Sequence, residues 1–348
     1  MSERSYLAAD PDVPDDETVR VGLNGFGRIG RNVFRAVMDD PRVALVGIND
    51  VMEPDDMEYL ARYDTVMGRQ DDVVLEDDRL TVGGTAAEVF TVQSPAELPW
   101  DDLDVDVALE CTGIFRTYED AAGHAEAGAD RVVISAPPKG DTPVKQIVYG
   151  VNHDVYDGET VVSNASCTTN SVAPVAKVLD DEFGLESGLL TTVHAYTGSQ
   201  SLIDGPKSKR RRGRAAAANI VPTSTGAATA TTEILPALEG KLDGMAIRVP
   251  VPNGSVTELV VDLADSPGVD EINGAFRAAA DGDLAGVLGY TDDEVVSSDI
   301  VGLPHSSYVD LNSTNVVRDG ALAKVLTWYD NEFGFSNRML DVARYVTP

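Results

Sequence analysis

A glycine-rich turn near the start of the sequence lies between a strand pattern and a helix pattern. The strand pattern is Val19–Asn24, the turn is residues 25–30, and apolar residues continue at helical spacing to Val37. Asp50 ends a second strand pattern, twenty residues after the last glycine of the turn. Such a turn lets backbone N–H groups approach a pyrophosphate, and the acidic residue can bind a ribose. The spacing predicts a dinucleotide-binding Rossmann domain; an ordinary strand-to-helix turn is the alternative.

The first half of the chain continues with further strand patterns, which is typical of a doubly wound α/β domain. These apolar strands are predicted at residues 105–109, 131–135 and 146–149. Within the turn, Gly25 is expected to make the tight bend, Gly27 to let the pyrophosphate approach the backbone, and Gly30 to let the helix pack on the strand.

A polar segment at residues 163–170 contains Cys167, one of only two cysteines. Residues 160–162 before it are a β-branched run, and apolar residues after it recur at the spacing of an amphipathic helix. A thiol at a helix N-terminus is biased toward thiolate, because unsatisfied N–H groups favour an anion. We expect Cys167 to be a nucleophile, with a buried, inert cysteine as the alternative. Cys111 ends an apolar strand and is expected only to pack.

The character of the sequence changes after Cys167. Longer alternating strands at residues 189–195, 246–251 and 256–263 predict a mixed or antiparallel sheet in a second domain. An amphipathic helix pattern that includes Phe335 closes the chain. At the other end, residues 1–17 are rich in proline and acid and are expected to form a solvated arm.

The chain carries a large negative charge. Its 27 Lys and Arg residues stand against 58 Asp and Glu residues, for a formal net charge of -31. This field disfavours nucleic acid and anionic membranes as partners. We infer a protein adapted to multimolar salt; an acidic protein of ordinary habitat is the alternative. Two cysteines make no disulfide framework and no leader or membrane-spanning run is present, so we expect a cytoplasmic protein. No metal site is assigned.

One basic run interrupts the acidic sequence, at residues 207–214 within a long irregular segment. On its own it would indicate a nucleic-acid patch. In so acidic a chain it is better explained by pairing with carboxylates, within the subunit or across an oligomer interface.

Five separate segments together resemble the phosphorylating glyceraldehyde-3-phosphate dehydrogenases of the bacterial and eukaryotic type. The likeness runs from about residue 18 to the C-terminus and is carried by residues 24–31, 166–170, His194, 244–250 and 328–332. It implies a Rossmann domain at 18–166, completed by a C-terminal helix at 331–348, and an α+β catalytic domain at 167–330. It also implies a homotetramer, with residues 198–218 running along a neighbouring subunit's cofactor.

The resemblance assigns roles residue by residue. Cys167 matches the nucleophile and His194 its base, although a histidine there could also be a satisfied core residue. Arg248 and Thr197 match the site for the substrate's phosphate; a carboxylate partner is the alternative role for Arg248. The residues that match the inorganic phosphate site are Ser166, Thr168, Thr225 and Gly226. Those expected to bind the cofactor are Gly25, Gly27, Arg28, Ile29, Gly30, Asp50, Thr112, Ser135 and Asn331, the last fixing the nicotinamide amide.

The reaction implied is oxidation of glyceraldehyde 3-phosphate with NAD and inorganic phosphate to 1,3-bisphosphoglycerate. It would pass through a hemithioacetal and a thioester on Cys167, reversibly, in glycolysis or gluconeogenesis. Asp50 would repel a 2′-phosphate, so NAD is favoured; the small Val51 and Gly205, which depart from the family pattern, leave NADP open. Phe335 stands where the family usually has tyrosine, so that hydroxyl is absent. The alternatives are an erythrose-4-phosphate dehydrogenase and a non-catalytic binding protein on the same fold.

Overall fold

The computed structural model describes residues 18–82 and 85–347, which form two compact units. The first unit takes the described residues up to Tyr149, together with His153–Ser166 and those from Ser336 onward. The second takes Gly150–Asn152 and Cys167–Phe335. The predicted acidic arm lies outside the described residues. None of the described helices is long and apolar enough to cross a membrane.

The first unit is built on a nine-stranded sheet with helices α1 (Arg28–Val37), α2 (Pro54–Arg62) and α3 (Tyr118–Glu126). The first unit has eleven strands, of which nine form this sheet and two, β3 and β4, form a separate antiparallel pair. They are β1 (Val19–Asn24), β2 (Val43–Asn49), β3 (Tyr63–Asp64), β4 (Gly68–Arg69), β5 (Val74–Glu76), β6 (Arg79–Val82), β7 (Thr85–Phe90), β8 (Val107–Glu110), β9 (Arg131–Ile134), β10 (Lys145–Gln146) and β11 (Val161–Ser163).

The strand order of this sheet is β10-β11-β9-β8-β1-β2-β7-β6-β5. All neighbouring pairs from β10 to β7 are parallel, and β5, β6 and β7 pair antiparallel. From β1, successive strands are added toward one edge of the sheet (β2, β7), and from β8 they are added toward the other edge, so the strand order reverses between β1 and β8. In doubly wound sheets, ligands bind beyond the carboxyl ends of the strands at this reversal. The Rossmann prediction is therefore confirmed.

Two strand predictions in this unit need correction. The strand expected at 105–109 begins at Val107. The one expected at 146–149 is only Lys145–Gln146, and the fully buried Ile147 and Val148 lie beyond its end, although Ile147 N still donates to the carbonyl oxygen of Ser163. A short apolar run signals burial, and burial alone does not distinguish a strand from irregular chain.

The second unit contains a mixed eight-stranded sheet and helices α4 (Cys167–Phe183), α5 (Ala227–Ile234) and α6 (Val269–Asp281); α7 (Phe333–Val346) begins in it and continues into the first. The strands are β12 (Leu185–Ala195), β13 (Val221–Ser224), β14 (Leu242–Val249), β15 (Ser255–Leu263), β16 (Leu288–Thr291), β17 (Ser307–Asp310), β18 (Asn315–Val317) and β19 (Leu322–Tyr329).

The order of this sheet is β13-β14-β12-β15-β19-β17-β16, and β18 also pairs with β19. Neighbours β12 and β14, and β16 and β17, are parallel, whereas the other pairs are antiparallel. The predicted mixed sheet is thus confirmed, although β12 begins four residues before the predicted strand and β14 ends at Val249 rather than 251.

Helix α4 packs its apolar face into the core of the second unit. The predicted stripe of Val172, Val175, Ala176 and Leu179 is fully buried against residues of the sheet such as Leu190. Burial of each of its valine and leucine side chains contributes roughly 1.5–3 kcal/mol to folding. The stripe therefore fixes which face of α4 meets the sheet, and with it the position of the first turn of the helix.

Candidate active site

Cys167 is the first residue of α4, as the segment pattern predicted. The chain reaches it from β11 through Ala165, which has a left-handed backbone conformation with φ 54. That conformation costs a non-glycine residue roughly 1 kcal/mol. The turn therefore stores strain immediately before the helix N-terminus that presents the thiol.

The thiol of Cys167 faces an imidazole. Its Sγ lies 3.5 Å from Nε2 of His194, which belongs to β12 and is almost fully buried. The ring of Tyr329 meets the imidazole edge-on, with centroids 5.9 Å apart. The nucleophile and the base proposed from sequence are thus neighbours in the same unit, although they are 27 residues apart in the chain.

Arg248 completes this cluster from β14. It is the register partner of His194 on the adjacent parallel strand. Its Nη1 lies 2.9 Å from Nδ1 of His194 and donates to the carbonyl oxygen of Ala195 at 3.0 Å. The carboxylate pairing considered for Arg248 is not what the described residues provide, because its contacts are with the histidine and this carbonyl.

The electrostatics of the cluster act against the thiolate that is expected at Cys167. Burial raises the pKa of the Cys167 thiol, and this outweighs the opposing effects of Arg248 and Thr168. Burial and Arg248 lower the pKa of His194 to about 3, from an ordinary value of 6.5. Both shifts favour a neutral thiol beside a neutral imidazole. Burial of the site therefore opposes the bias toward thiolate that is expected from the helix N-terminus.

Tyr329 belongs to the site, although the sequence analysis gave it no role. Its hydroxyl lies 3.0 Å from Oγ1 of Thr168 and 2.8 Å from Oγ1 of Thr192. Burial raises the pKa of Tyr329 to about 12, so the hydroxyl stays protonated. The signal was available in part, since Tyr329 lies inside the segment 328–332 that carried the resemblance.

Arg212 was also missed as a site residue. Its positive charge lowers the pKa of both His194 and Arg248, so it acts on the cluster around Cys167. Its Nε donates to Oγ1 of Thr223 at 3.1 Å. In the sequence it was one of several basic residues in the run 207–214, and nothing local distinguished it from the others.

Within that basic run, pairing with carboxylates of the same subunit is limited. Among the described residues only Arg214 of the run makes an ion pair, with Asp204 at 2.8 Å. Lys209 donates to the hydroxyl of Ser224, and with Arg210 and Arg211 it lines an open pocket. Pairing with carboxylates of the same subunit therefore explains one basic residue of the run among the described residues, Arg214.

The residues expected to hold phosphates lie on different elements. Thr225 and Gly226 immediately precede α5; the Thr225 hydroxyl accepts from Ala227 N, and the space beside the Gly226 Cα is open. Helix α5 packs against α4. Thr197 follows β12, with its hydroxyl 2.8 Å from that of Ser199. Ser166 precedes Cys167 in the chain and belongs to the first unit.

The glycine turn is tightly packed at Gly25 and Gly30 and open at Gly27. Gly25 has φ 98, and a Cβ there would lie 2.5 Å from the backbone of Thr112; a Cβ on Gly30 would lie 1.9 Å from a carbonyl oxygen of the turn. At Gly27, by contrast, a Cβ would meet nothing within 4 Å. The open side of the turn is thus at the N-terminus of α1, where free backbone N–H groups favour an anion.

The acidic residue of the pattern is held in position. Asp50 Oδ2 accepts from Phe26 N at 2.6 Å, and Oδ1 accepts from Met52 N at 3.1 Å. Each oxygen keeps a second lone pair, so the carboxylate can still accept from ribose hydroxyls. Arg28 forms an ion pair with Asp64, which leaves its side chain partly buried.

The remaining cofactor candidates are placed by neighbouring groups. Thr112 donates from both its N and its hydroxyl to the carboxylate of Glu110, and Ser135 N donates to the Glu110 carbonyl. The carbonyl of Ile29 accepts from the hydroxyl of Ser336. In the second unit, Asn331 Oδ1 accepts from the Ser255 hydroxyl at 2.6 Å, which fixes its amide orientation.

A buried polar network behind the cofactor turn had no counterpart in the sequence analysis. Glu110 is fully buried and accepts from Nδ2 of Asn24 at 2.6 Å, and His124 Nε2 lies 3.2 Å away. Trp100 Nε1 donates to the other ring nitrogen of His124, and Asn49 donates to Asn24. These side chains join the carboxyl ends of β1, β2 and β8.

Comparison with known proteins covers both units. The family description "Glyceraldehyde 3-phosphate dehydrogenase, NAD binding domain" matches residues 19–118, and "Glyceraldehyde 3-phosphate dehydrogenase, C-terminal domain" matches residues 166–331. A glyceraldehyde-3-phosphate dehydrogenase of Haloarcula vallismortis is 68% identical over 333 residues, 95% of this chain and 99% of the relative. Namesakes from Mycobacterium bovis (53%) and Streptomyces coelicolor (51%) each align over 94% of this chain and 98% of their own length.

Proposed function

Because the chain belongs to the glyceraldehyde-3-phosphate dehydrogenase family, we propose that Cys167, His194 and Arg248 carry out aldehyde oxidation on glyceraldehyde 3-phosphate. The chain is an NAD-dependent oxidoreductase, and bound NAD supplies the hydride acceptor. The observation that carries the assignment of roles is the 3.5 Å contact between Cys167 Sγ and His194 Nε2, with Arg248 beside the same ring.

The residues divide the chemistry as follows. Cys167 Sγ forms a bond to the aldehyde carbon, and the carbonyl oxygen takes up the thiol proton to give a hemithioacetal. His194 Nε2 then accepts the hydroxyl proton, so that loss of hydride leaves a thioester on sulfur. Inorganic phosphate attacks the thioester carbon, the C–S bond breaks, and Cys167 recovers its proton. The product is an acyl phosphate.

These reaction steps require two anion sites, one for the substrate's phosphate and one for inorganic phosphate. Arg248 and Thr197 are proposed to hold the substrate's phosphate, because a guanidinium offers a planar donor pair to phosphate oxygens. Ser166, Thr168, Thr225 and Gly226 are proposed to hold inorganic phosphate. The N-terminus of α5, with open space beside Gly226, supports this second site.

Cofactor binding is proposed for the residues of the first unit described above and for Asn331. Asp50 is proposed to accept from the adenine-side ribose and to repel a 2′-phosphate. The fit of the glycine turn, with its open side at Gly27, supports this role.

Assembly is proposed to be a homotetramer in the cytoplasm of a salt-adapted cell. Exposed apolar residues on and near the segment 198–218 support an oligomer interface there: Leu202 is 83% exposed, Ile203 76% and Ile220 69%. The cations of the basic run that pair with no described carboxylate would find partner carboxylates at such an interface. The identity with the Haloarcula protein supports the salt adaptation.

The test is formation of NADH from glyceraldehyde 3-phosphate in molar KCl, with and without inorganic phosphate or arsenate. We expect turnover that depends on either oxyanion and that is lost in Cys167→Ser. Turnover without them would contradict the inorganic phosphate site. Erythrose 4-phosphate and NADP, assayed in parallel, test the alternative substrate and cofactor, and absence of turnover with any of these would favour a non-catalytic role.

A further inference from the structure

We propose that binding of the substrate's phosphate activates His194 as the base. By drawing Arg248 away from His194, the phosphate lets the imidazole adopt the form that accepts a proton from the substrate. The inference rests on the proposed function, because it takes Arg248 as the ligand of that phosphate. The inference goes beyond the proposed function because it makes Arg248 a restraint on His194 until the phosphate binds.

The geometry around Nδ1 of His194 carries the argument. Nδ1 lies 2.7 Å from the carbonyl oxygen of Ala195 and 2.9 Å from Nη1 of Arg248, and these two atoms are 3.0 Å apart. An imidazole nitrogen has one in-plane position, which holds either a proton or a lone pair. With a proton, Nδ1 donates to Ala195; with a lone pair, it accepts from Arg248. It cannot do both.

The choice at Nδ1 decides what Nε2 can do. If Nδ1 accepts from Arg248, a neutral ring carries its proton on Nε2, which faces Sγ of Cys167 at 3.5 Å and cannot accept another. If Nδ1 donates to Ala195, the lone pair is on Nε2 and faces the thiol. Arg248 in its present position therefore favours the idle tautomer.

The charges around the ring act in the same direction. The groups that face His194 are the thiol of Cys167 from α4, the phenol of Tyr329 from β19, and the guanidinium groups of Arg248 from β14 and Arg212. Both arginines disfavour a protonated imidazole, and only the Ala195 carbonyl favours it. An anion on Arg248 would offset one cation and compete for its N–H groups.

Arg248 also has capacity for a second ligand. Its Nε is buried and makes no hydrogen bond to any described residue. A buried N–H without a partner is costly, so this edge of the guanidinium is suited to an oxygen ligand. Because β12 and β14 are fixed in register, only the Arg248 side chain has to rotate toward the anion.

The experiment measures the thiolate of Cys167 by its ultraviolet absorbance as a function of pH, with Cys167→Ser as the blank. The enzyme is titrated in constant molar KCl with glycerol 3-phosphate, which has the phosphate but no aldehyde, or with glycerol. We expect glycerol 3-phosphate to lower the midpoint of thiolate formation by about one pH unit or more, since His194 can then hold the proton. In ¹⁵N-histidine-labelled protein the His194 ring resonances should shift in parallel.

The direction in which the midpoint of thiolate formation shifts distinguishes this proposal from simple charge neutralisation. An anion that merely neutralised Arg248 would raise the midpoint, because Arg248 favours the thiolate. An unchanged or raised midpoint, with glycerol 3-phosphate binding demonstrated by calorimetry, would overturn the switch and leave the phosphate role of Arg248 intact. Equal binding to wild type and Arg248→Gln would instead contradict the proposed phosphate site. Arg277→Gln, which removes an exposed arginine paired with Asp292, should keep the full response.

Discussion

The hydroxyl of Tyr329 lies 3.0 Å from Oγ1 of Thr168, so the last residue of β19 is joined to the second residue of α4. The same hydroxyl lies 2.8 Å from Oγ1 of Thr192 on β12. All three side chains are buried. One phenol therefore connects the helix that carries Cys167 to the strand that carries His194.

Replacing this phenol tests its contribution directly. Tyr329→Phe leaves two buried threonine hydroxyls without their shared partner, so we expect a loss of about 1–3 kcal/mol in the free energy of unfolding. A several-fold fall in kcat is expected as well, because Thr168 loses its anchor next to Cys167. Denaturant unfolding and steady-state kinetics measure the two effects. Tyr59→Phe, at an exposed tyrosine of α2, serves as the control and should change neither.

Much of the fold around the glycine turn and around Cys167 was predictable because its signals are local. The turn at Gly25 and Gly30 needs residues without a Cβ, and the helix after Cys167 needs an apolar stripe at its own period. Both requirements are written within a few residues of the feature they predict. The same holds for β1 and β2, whose β-branched and aliphatic runs coincide with the strands found.

What could not be predicted depends on register between distant strands. His194 and Arg248 meet because β12 and β14 pair in parallel, although 54 residues separate them. The contact of Arg248 with Nδ1 therefore had no local signal. The desolvation that raises the pKa of Cys167 had no local signal for a related reason, since it is set by the whole surrounding fold. Arg212 was indistinguishable from its basic neighbours until the chain was folded.

Acid stability should report the buried imidazole. The pKa of His194 is about 3 in the folded chain, whereas an unfolded histidine binds a proton below its ordinary pKa of 6.5. The unfolded state thus binds more protons between these values, and folding stability falls as pH drops from 6.5 toward 3. Relative to His194→Gln, wild type should lose on the order of 1 kcal/mol more per pH unit in this window. Denaturant unfolding from pH 7 to pH 5 measures it.

If wild type and His194→Gln showed parallel pH profiles, the buried neutral state of His194 would be contradicted.

Helix α7 holds a buried carboxylate shared by two arginines. Asp341 contacts Arg338 at 2.5 Å and also pairs with Arg344, and the side chains of Asp341 and Arg338 are each 1% exposed. Asp341→Asn keeps the shape but removes the charge, leaving a buried guanidinium without this counter-ion. We expect a loss of about 3–5 kcal/mol in the free energy of unfolding.

The comparison for this variant is Asp181→Asn, which breaks the exposed pair with Lys177 in α4. An exposed pair is worth about 0.3–0.5 kcal/mol, so denaturant unfolding should separate the two variants clearly. Equal losses in both would mean that burial does not strengthen the Asp341 pairs.

Cofactor selectivity should depend on the charge of Asp50. Its carboxylate is held by Phe26 N and Met52 N, and an asparagine keeps an oxygen acceptor for one of these bonds. Asp50→Asn should weaken NAD binding and remove the repulsion of a 2′-phosphate. We expect the ratio of kcat/KM for NADP over NAD to rise by about tenfold, a difference of roughly 1.4 kcal/mol. Asp71→Asn, at an exposed surface pair, should leave the ratio unchanged.

Salt dependence should be partly located in one acidic turn. Asp77 and Asp78 form the exposed turn between β5 and β6, with φ 49 and 58, and with Glu53 and Asp55 they line an acidic pocket. Asparagine tolerates the left-handed backbone as well as aspartate does, so Asp77→Asn/Asp78→Asn removes two charges at little conformational cost.

We expect wild type, at net charge -31, to unfold at a markedly higher temperature in molar KCl than in dilute buffer, because the screening length falls to roughly 3 Å at 1 M. The double variant should gain stability in dilute buffer and little in molar KCl, which narrows its salt response. Sucrose raises stability without screening charge, so it should stabilise both proteins equally. A wild-type midpoint that did not change between dilute buffer and molar KCl would contradict salt adaptation, and an equal gain of the variant in both media would show that repulsion in this turn is not its cause.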